Sequence, residues 1–62
     1  MDDLIARIKA DKWYVRLQYI PDINMFICEL IGRTKSGAFA ACFGRSDSPE
    51  AAIIDAIREM DR

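Results

Sequence analysis

Apolar positions change their period along this chain, and each change marks an element. In residues 2–10, Leu4, Ile5 and Ile8 recur at helical spacing behind Asp2 and Asp3. The pattern predicts a short helix capped by one of the aspartates, with Asp3 and Arg7 as an i,i+4 pair. A helix this short is not stable alone and must dock on something. Residues 13–20 then alternate, with Trp13, Val15, Leu17 and Tyr19 on one side and Tyr14, Arg16 and Gln18 on the other. That is the pattern of a half-buried strand. Pro21-Asp22-Ile23-Asn24 follows as a turn, because proline presets φ and the Asx side chains close on the local backbone. Residues 25–33 form a second strand, with Phe26, Cys28 and Leu30 inward and Ile27, Glu29, Ile31 and Arg33 outward.

Thr34-Lys35-Ser36-Gly37 is expected to be a hairpin turn, with glycine where φ must be positive. Residues 38–45 read as a third strand of ambiguous facing. A two-residue Ser36-Gly37 loop puts Phe39, Ala41 and Phe43 on the same side as Cys28 and Leu30. A three-residue loop flips every side chain and sends Ala40 and Cys42 inward. The first alternative is preferred, since burying a phenylalanine is worth on the order of 2 kcal/mol.

The strongest signal comes last. Ser48 is a good N-cap, Pro49 suits the first helical position, and Glu50 complements the positive end of the helix dipole. Behind them Ala52, Ile53, Ala56, Ile57 and Met60 trace one apolar stripe of a 3.6-residue period. Asp55 and Arg58 are spaced as an i,i+3 pair. Ile54 is apolar but off the stripe, either a lone surface residue or an anchor for a partner.

These elements add up to an α+β fold of order α-β-β-β-α. It is a three-stranded antiparallel meander with both helices packed on one face, a topology like that of double-stranded RNA-binding and HicB-like domains. The opposite face would carry Tyr14, Arg16, Gln18, Ile27, Glu29 and Ile31. Aromatic, aliphatic and arginine groups of this kind make up the centres of protein interfaces, so these six residues, with Ile54, are the candidate protein-binding set.

The chain has 62 residues, so residues 1–62 are expected to form one domain. That size is near the lower limit for a self-sufficient core. Two cysteines and no histidine leave little for a disulfide framework or a metal, so a homodimer is the expected supplement. Net charge is −1 with both signs interspersed, which gives no basic block to track a phosphate backbone and argues against nucleic acid as a partner. No apolar run is long enough to span a bilayer and no basic leader is present, so a cytoplasmic protein with reduced thiols is expected.

The chemistry of catalysis is missing from the pattern. Without histidine there is no imidazole base, and two isolated thiols do not make a zinc site. Ser36, Ser46 and Ser48 have no evident base. Gly32, Gly37 and Gly44 match neither G-x-G-x-x-G nor a P-loop. No catalytic residue, cofactor or metal is expected, and the chain reads as a non-enzyme. Double-stranded RNA-binding domains carry a lysine cluster at the start of the second helix, where this chain has Asp47, Ser48, Pro49 and Glu50. Arg16, Arg33, Lys35 and Arg45 are the cations left for a nucleic-acid alternative.

Two family resemblances reach the C-terminal segment. Asp47, Ser48, Glu50, Ala52 and Ala56 resemble the G-D-[ST]-x-E-E-A-x-x-N-A start of the helix in HicB-like antitoxin domains, with Ser46, Ala51 and Asp55 departing from it. Nearly the whole chain is similar to small α-β-β-β-α "ABA sandwich" proteins of bacteriophages. The matching residues are Asp3, Leu4, Ile5, Arg7 and Ile8, then Trp13 and Val15, then Phe26 and Cys28. Ser48, Pro49, Ala52, Ile53, Ala56 and Ile57 complete the match. The second resemblance implies a phage or prophage accessory protein, which could act by inhibiting a host defence complex. The first implies an antitoxin that neutralises a small RNase.

Overall fold

A computed structural model describes residues 2–61. The chain runs α1 (Asp2–Asp11), β1 (Tyr14–Ile20), β2 (Met25–Arg33), β3 (Phe39–Ser46) and α2 (Pro49–Met60). The strands form one antiparallel sheet in the order β1-β2-β3. Cys28 and Leu30 from β2, Ile8 from α1, Trp13, and the α2 stripe form a single buried cluster. Both helices therefore cover the same side of the sheet, and α-β-β-β-α is the architecture.

α2 forms where capping and period agree. The Ser48 hydroxyl accepts from the Ala51 N–H at 3.2 Å, and Pro49 opens the helix. Ala52, Ile53, Ala56, Ile57 and Met60 are all buried. Ile53, Ile57 and Met60 each contribute about 1.5–3 kcal/mol through that burial. Asp55 accepts from the Arg45 backbone N–H at 3.2 Å, tying the helix to the β3 edge instead of serving a pair with Arg58.

α1 ends in a Schellman-type reversal. Lys12 takes a positive φ of 57°, a position more often given to glycine, while Trp13 N–H donates to the Ile8 carbonyl at 3.1 Å and Lys12 N–H to that of Lys9 at 3.3 Å. The turn lays the Trp13 indole over Gly32, with its Nε1–H donating to the Arg33 carbonyl at 3.2 Å. Arg7 does not turn to Asp3 as expected. Its guanidinium meets Asp11 one turn on at 3.3 Å and Asp61 at 2.5 Å, and so clasps the end of α2.

The facing of β3 corrects the preferred expectation. Phe39 and Phe43 point away from the helices and are exposed, and Ala41 goes with them; Ala40, Cys42 and Gly44 point inward. The hairpin loop has three residues, because Thr34 N–H donates to the Ala38 carbonyl at 2.8 Å and Gly37 N–H closes on Thr34 at 2.9 Å. Gly37 takes φ 87°, the left-handed residue that this loop length requires. One extra loop residue reverses the whole strand. Packing enforces the same choice. A Cβ at Gly44 would collide with the Ala52 carbonyl oxygen and the Ala56 amide nitrogen, so α2 lies directly on the β3 backbone. No phenylalanine fits beneath a helix that close.

The first strand is less covered than its alternation suggests. Val15, Leu17 and Tyr19 do lie on the helix side, in register with Leu30, Cys28 and Phe26. They nonetheless keep 44, 43 and 47% of their surface exposed. Among the described residues no helix is long and apolar enough to cross a membrane.

Candidate functional site

The open sheet face is laid out by the two strand registers. Tyr14, Ile31 and Ala41 form one cross-strand row; Arg16, Glu29 and Phe43 the next; Gln18, Ile27 and Arg45 the third. Arg33 pairs with Phe39 at the hairpin end. All six expected sheet residues, Tyr14, Arg16, Gln18, Ile27, Glu29 and Ile31, are thus brought together. Ile54 is not among them. It is half-buried on α2, in the layer on the other side of the sheet.

Phe39, Phe43 and Arg45 are residues of this face that the sequence reading did not assign to it. Their signal was present in the small-residue stripe Ala40, Cys42 and Gly44, which suits close contact with Ala52 and Ala56. Tyr14, Phe39 and Phe43 are 76, 69 and 57% exposed, which makes them the most open rings in the chain. Between them Ile27 and Ile31 are half-buried by their strand neighbours. A shallow depression beside β1 is lined by Tyr14, Val15, Arg16, Glu29 and Ile31. A second lies where Ile27, Phe43 and Arg45 meet the α2 residue Asp55.

The charges on the face are partly fixed. The Arg33 guanidinium stacks 5.0 Å from the Phe39 ring centre and donates to the Gly37 carbonyl at 2.8 Å. Arg16 and Glu29 face each other across β1 and β2 at 3.9 Å, a loose exposed pair of little net worth. The strands of the face bear Arg16, Arg33 and Arg45 with the carboxylate Glu29, and Asp55 and Asp11 border it from the helices.

The thiols sit on the other side. Cys28 is fully buried and Cys42 half-buried, both as free thiols. Burial pushes both thiols above their ordinary value, and the Glu59 charge adds to the effect at Cys42. At neutral pH they are protonated and poorly nucleophilic. Among the described residues no group of three or more histidine, cysteine or acidic side chains is placed to hold a metal ion.

No protein-family model matches this chain, and no curated protein and no solved structure matches it.

Proposed function

We propose that the protein is a non-catalytic binding module that docks a partner protein on its open sheet face. One observation carries the reading: three exposed aromatic rings and two isoleucines share one face, with arginines around them. Rigid rings on a flat strand scaffold lose little entropy on binding, and arginine can stack or pair with carboxylates at the margin. Arg16, Arg33 and Arg45 favour a partner surface that is apolar with carboxylates at its margin. The resemblance to small bacteriophage proteins suggests the setting, an accessory protein that inhibits a host defence complex by occupying its surface. Free thiols held in the core suit the reducing cytoplasm.

The test is capture of partners from lysate by the wild-type chain and by a Phe39→Ser/Phe43→Ser double variant. Proteins held by the first and released by the second are the expected result. Equal capture by both would remove the open face from the function.

A second reading has its own support. Aromatic rings interleaved with arginines on an open sheet also resemble a stacking platform for single-stranded nucleic acid. Glu29 at the centre of the face opposes it, because its carboxylate would meet the phosphates or base edges laid across the sheet. A gel shift with single-stranded oligonucleotides that weakens steeply with salt would favour this reading, and no shift at low salt would remove it.

A further inference from the structure

We propose that the outer edge of β1 is a pairing edge for a second copy of this chain, joined antiparallel about a twofold axis through Leu17. β1 lies at the margin of the sheet, and six of its seven residues are exposed. Its one charged residue, Arg16, lies on the open-face side; the strand holds no proline and no charge on its helix side. On that helix side Val15, Leu17 and Tyr19 form a continuous half-exposed apolar strip. Ile54 adds to this side of the molecule. It is half-buried on α2, whose buried stripe covers the same side of the sheet. The whole chain exposes 4426 Å², where a folded monomer of 7.1 kDa should expose about 4,100 Å².

The occupant follows from the sequence of the strand itself. Pairing about Leu17 sets Val15 opposite Tyr19, Leu17 opposite Leu17, and Arg16 opposite Gln18. Tyr14 then faces Ile20, so apolar meets apolar and each arginine meets a neutral acceptor. Other registers are worse. Centring on Arg16 opposes two guanidinium groups, and centring on Gln18 drives Val15 against Pro21, which has no N–H to give. The Leu17 register uses all seven residues and extends the sheet to six strands, with all helices on one side.

Sedimentation at micromolar concentration and cysteine cross-linking test this. The wild type is expected at about twice 7.1 kDa. Leu17→Glu, which sets two carboxylates at the axis, should weaken association at least about tenfold with far-UV circular dichroism unchanged. Leu17→Cys should oxidise to a covalent dimer, since paired Cα atoms about 4.5–5.5 Å apart are within disulfide reach. Tyr14→Cys should not, because its two copies would lie about 20 Å apart. The Phe39→Ser/Phe43→Ser variant should remain dimeric, so loss of partner capture and loss of the dimer are separable. A monomeric wild type, a folded dimeric Leu17→Glu, or equal cross-linking at both cysteine positions would overturn the proposal. So would a dimer abolished by the open-face variant, which would mean that copies meet through that face instead.

Discussion

Phe43→Ala separates the observed facing of β3 from its mirror alternative. The ring is 57% exposed, so folding removes roughly two-fifths of a surface of about 200 Å² from water. At about 25 cal/mol per Å² that is about 2 kcal/mol for the whole side chain, and about 1 kcal/mol once alanine keeps its share. A phenylalanine sealed under α2 would lose about 3–5 kcal/mol on the same change, because a cavity would be left behind. Leu30→Ala is the internal standard. Leu30 has no exposed surface and should lose about 2–5 kcal/mol. Urea unfolding followed by circular dichroism measures all three chains, with about 1 kcal/mol equivalent to roughly 4–8 °C in a parallel melt. A Phe43→Ala variant as damaged as Leu30→Ala would mean that the ring is inside, and the open face would lose its aromatic character.

Two further changes probe the packing and the clasp. Gly44→Ala places a methyl against the α2 backbone at Ala52 and Ala56, atoms that cannot swing aside, so α2 must lift from the sheet. The expected loss is about 2–3 kcal/mol even after the entropy that alanine removes from the unfolded chain, and thermal melting within about 0.5 kcal/mol of wild type would refute the contact. The second change is Asp61→Asn. Arg7 holds the Asp61 carboxyl below its ordinary value, chiefly through their hydrogen bond. A carboxylate depressed in the native state adds stability above its unfolded value of about 4, and that stability is lost as pH falls through the lower native value. The pair is partly exposed, so the gap between wild type and Asp61→Asn should be within about 1 kcal/mol at pH 7 and close as pH falls through the lowered native value. A gap independent of pH would show that the clasp is not electrostatic.

The sequence made some of this structure legible and concealed the rest for definite reasons. Ser48, Pro49 and the stripe from Ala52 to Met60 specify α2 redundantly, through cap, backbone preference and period, and each signal points to the same helix. β2 was equally clear, because its alternation has only one facing that buries Phe26, Cys28 and Leu30. The sheet residues of the candidate site followed from those alternations. β3 was different. Its even and odd positions are both apolar, so everything hung on whether two or three residues closed the hairpin. Hydrophobicity alone favours Phe39 and Phe43 inside, but burial is decided by the space beneath α2. Gly44, Ala52 and Ala56 leave no such space. Ile54 was rightly set apart from the helix stripe, but sequence spacing could not say which side of the sheet it would share. The exposure of Val15, Leu17 and Tyr19 was hidden because alternation reports facing and not coverage.

The reversal of β3 alters how this small chain divides its apolar residues. With both phenylalanines inside, the core would be larger and the open face would keep only Tyr14, Ile27 and Ile31 as its large apolar residues. With both outside, the core relies on close backbone approach between Gly44 and α2, which suits small residues and leaves the rings for external contact. Such a surface invites nonspecific association, and Arg16, Arg33 and Arg45 limit it by keeping charge beside every ring. The open face and the β1 edge are also distinct surfaces, since one is the plane of the sheet and the other its margin. Pairing at the margin would leave the Phe39 and Phe43 rings on β3 uncovered and set Tyr14 beside Ile20 of the second copy, with two copies of the face side by side in one extended sheet. A partner that is itself repeated or dimeric would then meet two linked faces, and the second contact would form at high effective concentration without any new kind of interaction. In that arrangement a modest face on each copy suffices, which is consistent with a module of 62 residues that offers three exposed rings beside open depressions.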